Sequence, residues 1–197
     1  AFPNITVTTK ARPSQFDFHA PLLCVIHRLA LTPETIPKQR LPLAPDPVRV
    51  EFWRRELAQF AGLRVGVVHT GQPRHGRNRI RSLPPRAIAQ WNAIPGVQIF
   101  DLHMRAPDRP GLRTWGQAGV INLGSGLGHG RAPFSDTMAL LANLDLIITC
   151  DTSTAHLAGA MERPVWLALD AISDWRWHSS GSTSDWYETM RIYRQSQ

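Results

Sequence analysis

The sequence predicts an α/β fold: a Rossmann-like parallel sheet with helices on both faces. Short apolar runs that suit strands buried on both faces alternate along the chain with segments of helical spacing. Such alternation implies right-handed crossovers and a parallel sheet. Residues 144–169 show the pattern best, because they read as strand, polar turn, helix, turn and strand. At 197 residues and 43% hydrophobic content, the chain has ample core for such a domain.

The regular part of the chain begins at Asp46. Asp46 can cap a helix whose apolar residues recur at helical spacing from Val50 to Phe60. The preceding segment is interrupted by seven prolines and lacks a domain's worth of elements. We therefore expect an irregular segment over residues 1–45 and one domain over residues 46–197.

The elements of this domain follow in alternation. A helix is expected over 82–94, a second begins at a capping Ser135, and a third follows Asp151. The glycine-rich segment 124–130 is expected to be a flexible loop, and its spacing matches no Walker or dinucleotide motif. The predicted strands are 63–69, 97–103, 120–123, 146–150, 165–169 and 191–194.

Polar residues follow the predicted strand 146–150. Asp151, Thr152 and Ser153 should cap the next helix with their side chains while its free backbone N–H groups face outward. A diphosphate there would meet oriented donors and a partial positive charge, at the sheet edge where parallel sheets bind ligands. His156 lies one turn later and can reach the same opening. The alternatives are an ordinary helix cap and a histidine bonded to a nearby carbonyl.

A second polar segment follows the first predicted strand. Thr70 and Gly71 end that strand, and a glycine there permits close approach of the backbone to phosphate oxygens. The arginine-rich loop that follows, which includes Arg81 and Ser82, could bind a diphosphate through guanidinium groups. The alternatives are an ordinary turn at Thr70 and Gly71, and a helix cap at Ser82.

Several of these motifs resemble GT-B glycosyltransferases of the heptosyltransferase type, especially relatives attached to bacterial tetratricopeptide-repeat proteins. The segment D-T-S-T-A-H-L-A-G-A with the following P-V-W resembles the family's donor-nucleotide segment. The resemblance covers most of residues 16–195, but His69 stands where a Trp is usual and the loop after it has more arginine. It extends to G-V-V-H-T-G-Q-P-R-H, R-I-R-S-L-P, D-W-R-W, W-Y-E-T-M-R-I-Y-R-Q and F-D-F-H-A-P-L-L.

The resemblance implies that the chain carries the C-terminal half of a GT-B fold. Residues 1–45 would be a remnant of the N-terminal domain and the inter-domain segment, and residues 46–197 the nucleotide-sugar-binding domain. His19 matches a polar position near the domain junction and is the candidate for a catalytic residue. The implied donor-binding residues are Thr70, Gly71, Arg81, Ser82, Asp151, Thr152, Ser153 and His156.

The resemblance also implies a reaction. An acceptor hydroxyl, deprotonated by a base that is usually on the N-terminal domain, attacks the anomeric carbon as the nucleotide diphosphate departs. The donor would be a nucleotide diphosphate sugar and the acceptor a glycan, a lipid-linked molecule or a protein. We expect no cofactor and no metal, because the eight histidines form no ligand pair backed by carboxylates. The chain alone should bind nucleotide weakly and transfer nothing.

Two other classes of function stay open. A non-catalytic GT-B-like domain for binding or regulation is supported by His69 and the altered arginine loop. A basic nucleic-acid-binding domain is suggested by the net charge of +7. The sequence disfavours nucleic acid, because the basic residues are dispersed and only Lys10 and Lys38 among the 22 are lysines.

The tryptophans and cysteines are assigned mainly to structure. Trp166 lies in a strand pattern and is expected in the core, whereas Trp175 and Trp177 could stack on a sugar or form a structural lid. Cys150 is expected to be a buried small side chain. With two cysteines, no long apolar run and no signal-peptide pattern, the expected location is the cytoplasm.

The ends of the chain suggest a piece of a longer polypeptide. It lacks an initiator Met and stops just after its last predicted strand. We therefore expect exposed apolar surface where further helices would pack, and hence self-association or marginal stability.

Overall fold

A computed structural model describes residues 6, 8, 12, 14, 16–37, 43–103, 119–124, 127 and 133–196. The chain divides into two compact units, Ala1–Ile36 and Pro37–Gln197. In the first unit, a 3-10 turn over Leu22–Cys24 continues into the one-turn helix α1 (Val25–Arg28). Several of its apolar side chains, including Phe18 and Leu22, are exposed.

The second unit is built on a parallel sheet, which confirms the predicted fold class. The six strands found among the described residues follow the order β3-β2-β1-β4-β5-β6, and every pair is parallel. Each lies within two residues of its predicted position. The order reverses between β1 and β4, and open parallel sheets bind ligands at such a point. The strands are β1 (Leu63–Val68), β2 (Val97–Asp101), β3 (Ile121–Asn122), β4 (Leu146–Cys150), β5 (Val165–Leu169) and β6 (Met190–Arg194).

Helices pack on both faces of this sheet. On one face, apolar side chains of α2, α5 and α6 share a core with alternate residues of β2, β4, β5 and β6. On the other, Ile88 of α4 packs with Val65, Val67 and Ile99. Asp46 begins α2 as predicted, because its carboxylate accepts the N–H of Val48 at 2.9 Å. The helices are α2 (Pro47–Leu57), α3 (Asn78–Arg81), α4 (Pro85–Asn92), α5 (Pro133–Leu141) and α6 (Ser153–Ala160).

Two predicted helix starts are wrong. Helix α4 begins at Pro85. Pro84, the residue before the helix, has extended backbone, and a proline such as Pro85 suits the first helical position. Ser82 is therefore no cap; its hydroxyl lies 2.8 Å from Thr70 Oγ1 and 2.5 Å from the carbonyl oxygen of Asn78. Ser135 lies inside the first turn of α5, which begins two residues earlier at Pro133.

The prediction that Trp166 lies in the core is also wrong. The neighbouring odd-numbered residues of β5 face the larger core, so Trp166 points to the opposite face, where its side chain is 43% exposed. There it packs on Tyr193, with ring centroids 5.3 Å apart. This part of the sheet face forms a groove of about 450 Å³. The apolar and aromatic residues of the groove include Ile80, Leu83, Trp91, Ile148, Trp166 and Tyr193.

Two further expectations concern loops and membranes. The glycine-rich segment 124–130 lies largely outside the described residues. Throughout the part of the chain that the structure describes, every helix is too short or too polar to span a bilayer.

Candidate functional site

A cavity of about 880 Å³ lies at the carboxyl ends of β1, β2 and β4, at the point where the strand order reverses. Seven of the eight implied donor-binding residues line it: Thr70, Gly71, Arg81, Asp151, Thr152, Ser153 and His156. The eighth, Ser82, is not among the lining residues of the cavity, but its hydroxyl donates to Thr70 Oγ1 at 2.8 Å. The other residues that line the cavity are Val68, Gln72, Pro73, His75, Leu102, His103, Thr154, Asp174 and Arg176.

The N-terminus of α6 opens into this cavity. Thr152 precedes the helix with extended backbone, but no side-chain hydrogen bond caps the helix. The predicted side-chain capping is therefore wrong. Its physical reason is that the Thr152 hydroxyl lies 3.1 Å from Thr149 Oγ1, at the end of β4. The N–H of Ala155 donates to the carbonyl oxygen of Thr152 at 3.0 Å, so the N–H groups of Ser153 and Thr154 are those that can bind an anion from the cavity, at the positive end of the helix dipole.

Arg81 joins the two loops that border the cavity. Its Nη1 donates to the carbonyl oxygen of Asp151 at 2.6 Å. A Cβ atom on Gly71 would lie 2.0 Å from Arg81 Nη2, so the close approach that this glycine permits is that of the guanidinium. The N–H of Gly71 donates to Asn78 Oδ1 at 2.9 Å. This loop is therefore held by its own polar groups.

Arg77 makes a second connection from the same loop. Its Nη2 donates to Asp170 Oδ2 at 2.8 Å and to the carbonyl oxygen of Ile172 at 2.6 Å. Asp170 follows β5 and is buried. Two members of the arginine-rich loop thus bind protein atoms on neighbouring strand ends, which fixes the wall of the cavity.

His156 is held by aromatic side chains. Its ring stacks on Trp177 with centroids 5.1 Å apart, and its Nδ1 lies 3.1 Å from the hydroxyl oxygen of Tyr187. Burial lowers the pKa of His156, and the nearby Arg176 guanidinium lowers it further. His156 is therefore neutral at neutral pH, and its partner is a hydroxyl rather than the carbonyl considered as an alternative.

Arg176 is a cavity residue that the sequence reasoning missed. It lies in the 3-10 turn Trp175–Trp177, which begins where Asp174 accepts the N–H of Arg176 at 3.1 Å. The guanidinium carbon lies 5.5 Å from the ring centre of Trp175. Of the two tryptophans, Trp175 is exposed and Trp177 is fully buried behind His156. The sequence signal that could have predicted this cavity residue is the arginine between the two tryptophans of D-W-R-W.

His103 is a second lining residue that the sequence reasoning missed, because it was assigned to the end of a strand. Its N–H donates to Asp101 Oδ1 at 3.0 Å, and its ring lies 5.2 Å from that of His69. His69 Nδ1 lies 3.5 Å from the same carboxylate oxygen. His69, the residue that departs from the family pattern, thus packs beside Asp101 and His103.

The remaining candidates lie elsewhere. Cys150 is buried, as predicted, and burial raises its pKa to about 11, so it is a poor nucleophile. His19 lies in the first unit with an exposed side chain, and its catalytic role stays a prediction. Within the described ranges, no three His, Cys, Asp or Glu side chains are grouped so that they could hold a metal ion.

The sequence around the helix α6 matches a known family. Residues 129–169, which contain α5, β4, α6 and β5, match the sequence model of glycosyltransferase family 9 (heptosyltransferase). The chain is also similar to Protein FlbA of Caulobacter vibrioides, with 28% identity over 192 residues. That similarity covers 91% of this chain and 30% of FlbA, so the chain spans less than a third of that relative.

The fold is similar to that of solved glycosyltransferases. The glycosyl transferase family 9 structure from Veillonella parvula superposes with a TM-score of 0.61 at 11% identity, over 87% of this chain and 47% of that one. ADP-heptose LPS heptosyltransferase II of E. coli gives a TM-score of 0.58 at 16% identity, over 83% of this chain and 48% of that one. This chain thus has the α/β fold found in about half of each heptosyltransferase-like structure, and its α6 segment matches glycosyltransferase family 9.

Proposed function

We propose that this chain is the donor-binding domain of a glycosyltransferase that uses a nucleotide diphosphate sugar. The observation that carries the proposal is the N-terminus of α6, which has no side-chain cap and opens into the cavity beside His156 and Arg176. Its position at the reversal of strand order, and the family match over the same segment, support the same function.

The charge of each group that lines the cavity indicates which part of the donor it would bind. The N–H groups of α6 and the Arg176 guanidinium would stabilise the negative charge that grows on the diphosphate as it leaves. The Asp151 carboxylate is an acceptor for sugar hydroxyl groups. A base removes the proton of the acceptor hydroxyl, its oxygen bonds to the anomeric carbon, and the bond from that carbon to the diphosphate oxygen breaks. His19 stays our candidate for a catalytic residue.

Calorimetric titration with ADP, UDP and GDP tests this function. ADP comes first because the E. coli structural neighbour is an ADP-heptose LPS heptosyltransferase. We expect at least one nucleotide to bind the chain weakly, and His156→Ala or Arg176→Ala to reduce its affinity by about 10-fold. The control for Arg176→Ala is Arg191→Ala, which removes the same charge from an exposed arginine of β6. Absence of binding by all three at millimolar concentration would refute the donor site.

A second candidate, a non-catalytic domain, is favoured by one observation. Arg77 and Arg81, which the sequence offered for diphosphate binding, donate to protein atoms. Experiments on the full-length protein distinguish the two candidates. We propose, from the resemblance, that the full-length protein also carries tetratricopeptide repeats. If the protein is a transferase, Asp151→Ala and His156→Ala abolish sugar transfer and leave partner binding intact. A full-length protein that binds nucleotide but transfers no sugar supports the second candidate.

A further inference from the structure

The side chains behind His156 form a support that fixes its ring. Trp177 stacks on one face of the imidazole, with an interplanar angle of 22°. Tyr187 meets it edge-on, with centroids 5.9 Å apart and an interplanar angle of 64°. The imidazole ring therefore contacts an aromatic side chain on two sides, and His156 also lines the cavity.

Gly159 lets Tyr187 reach this position. A Cβ atom on Gly159 would lie 2.4 Å from Tyr187 Cγ, so the phenol ring packs directly against the backbone of α6. The segment that carries Tyr187 is itself held by Ser184, whose hydroxyl oxygen accepts the N–H groups of Trp186 at 3.1 Å and Tyr187 at 3.3 Å. The position of the Tyr187 hydroxyl relative to α6 is thus determined by the fold.

We propose that Tyr187 is a positioning residue, which donates its hydroxyl proton to Nδ1 of His156 and thereby keeps the imidazole proton on Nε2, toward the cavity. This inference rests on the proposed function, because it concerns the same nucleotide site. A neutral imidazole carries one N–H, so accepting at Nδ1 requires the proton to be on Nε2. Burial raises the pKa of Tyr187, which keeps its hydroxyl protonated and able to donate.

The consequence is a neutral hydrogen-bond donor beside the helix N-terminus. Nε2–H can donate to a phosphate oxygen while His156 is uncharged, and it does so before and after the sugar leaves. Three charged groups act on the His156 ring: Arg176 disfavours its protonation, whereas Asp151 and Asp174 favour it. Tyr187 adds to the effect of Arg176, because a hydrogen bond to the neutral form lowers the pKa of the ring.

The tautomer is measured by ¹⁵N NMR of the nucleotide-free, histidine-labelled chain, with the His156 signals assigned from their loss in His156→Gln. We expect wild-type His156 in the Nε2–H form. In Tyr187→Phe, which keeps the ring packed on Gly159, we expect a mixture of tautomers and a higher pKa for His156. Tyr193→Phe changes the chain's other tyrosine, which lies on the opposite face of the sheet, and should alter neither.

The opposite arrangement gives opposite results. If Nδ1–H donates to Tyr187, wild-type His156 is in the Nδ1–H form and Tyr187→Phe lowers its pKa. Either result, or a His156 spectrum unchanged by Tyr187→Phe, overturns the proposal. The wild-type spectrum decides the tautomer even if Tyr187→Phe fails to fold.

Nucleotide affinity gives the second readout. For the nucleotide that binds best, we expect Tyr187→Phe to weaken binding by about 3- to 10-fold, in line with the loss of one hydrogen bond, and Tyr193→Phe to leave it unchanged. Equal affinity of Tyr187→Phe and wild type would exclude a positioning role at the nucleotide site. If wild type binds no nucleotide, the proposed function fails, while the NMR result still decides whether Tyr187 fixes the tautomer.

Discussion

Arg81 holds together the two loops that border the cavity, because it reaches from the end of α3 to the carbonyl oxygen of Asp151. A hydrogen bond from a charged donor contributes about 1.5–3 kcal/mol. We therefore expect Arg81→Ala to lower the free energy of unfolding by about 1–3 kcal/mol in urea titrations. Arg79→Ala removes an exposed arginine of the same helix and should change it by less than about 0.5 kcal/mol. Equal effects of both changes would contradict this role.

Gly159 is required by the packing of Tyr187 on α6. In Gly159→Ala the added methyl group would overlap the phenol ring, so we expect a loss of about 1–3 kcal/mol in stability. The His156–Tyr187 hydrogen bond should be lost as well. Gly76→Ala is the matched control, since a Cβ atom there would meet nothing within 4 Å. Thermal unfolding of the two variants compares them, and a stable Gly159→Ala would show that the segment around Tyr187 moves freely.

The lowered pKa of His156 makes a defined contribution to the pH dependence of stability. The unfolded chain binds a proton at this residue near pH 6.5, whereas the folded chain binds it only at lower pH. The contribution is therefore complete above pH 6.5 and is lost as the pH falls through the folded pKa. We expect His156→Gln to lose less stability than wild type between pH 7 and pH 5. Parallel curves for the two proteins would contradict the lowered pKa.

At the scale of residues, the sequence predicted which candidates lie together where the order of strand and helix determines their position. Asp151, Thr152, Ser153 and His156 follow a buried strand and precede a helix, so their place on the cavity follows from the topology. The capping role failed because a residue outside the segment, Thr149, contacts Thr152. Arg176 was missed because its direction depends on a 3-10 turn, whose short length gives no periodicity.

At the scale of elements, strands buried on both faces were the easiest to predict. Their apolar runs predict where each strand lies, and all six strands, including β5 and β6 with exposed alternate residues, lie close to their predicted bounds. The start of α4 was less accurate, because Ser82 offered a cap signal but the pair Pro84 and Pro85 determined where helical backbone begins. The predicted burial of Trp166 was wrong for another reason. Which alternate residues of β5 are buried depends on what covers each face of the sheet, and a strand pattern does not encode this.

At the scale of the whole molecule, the groove around Trp166 bears on association. Trp166 and Tyr193 are 43% and 50% exposed, and apolar surface of this kind favours contact between molecules. The expected self-association stays a prediction. Sedimentation equilibrium over a range of concentrations should show it, and Trp166→Arg should weaken it with little change in the free energy of unfolding. A chain that stays monomeric at all concentrations would contradict it.

The central claim is that the cavity at the N-terminus of α6 holds the diphosphate of a nucleotide. A crystal structure of the chain with the nucleoside diphosphate that binds best tests it most directly. The account predicts phosphate oxygens within about 2.7–3.2 Å of backbone nitrogens in the first turn of α6, with His156 Nε2 and Arg176 at the same group. A diphosphate bound away from α6, for example in the groove around Trp166, would contradict it.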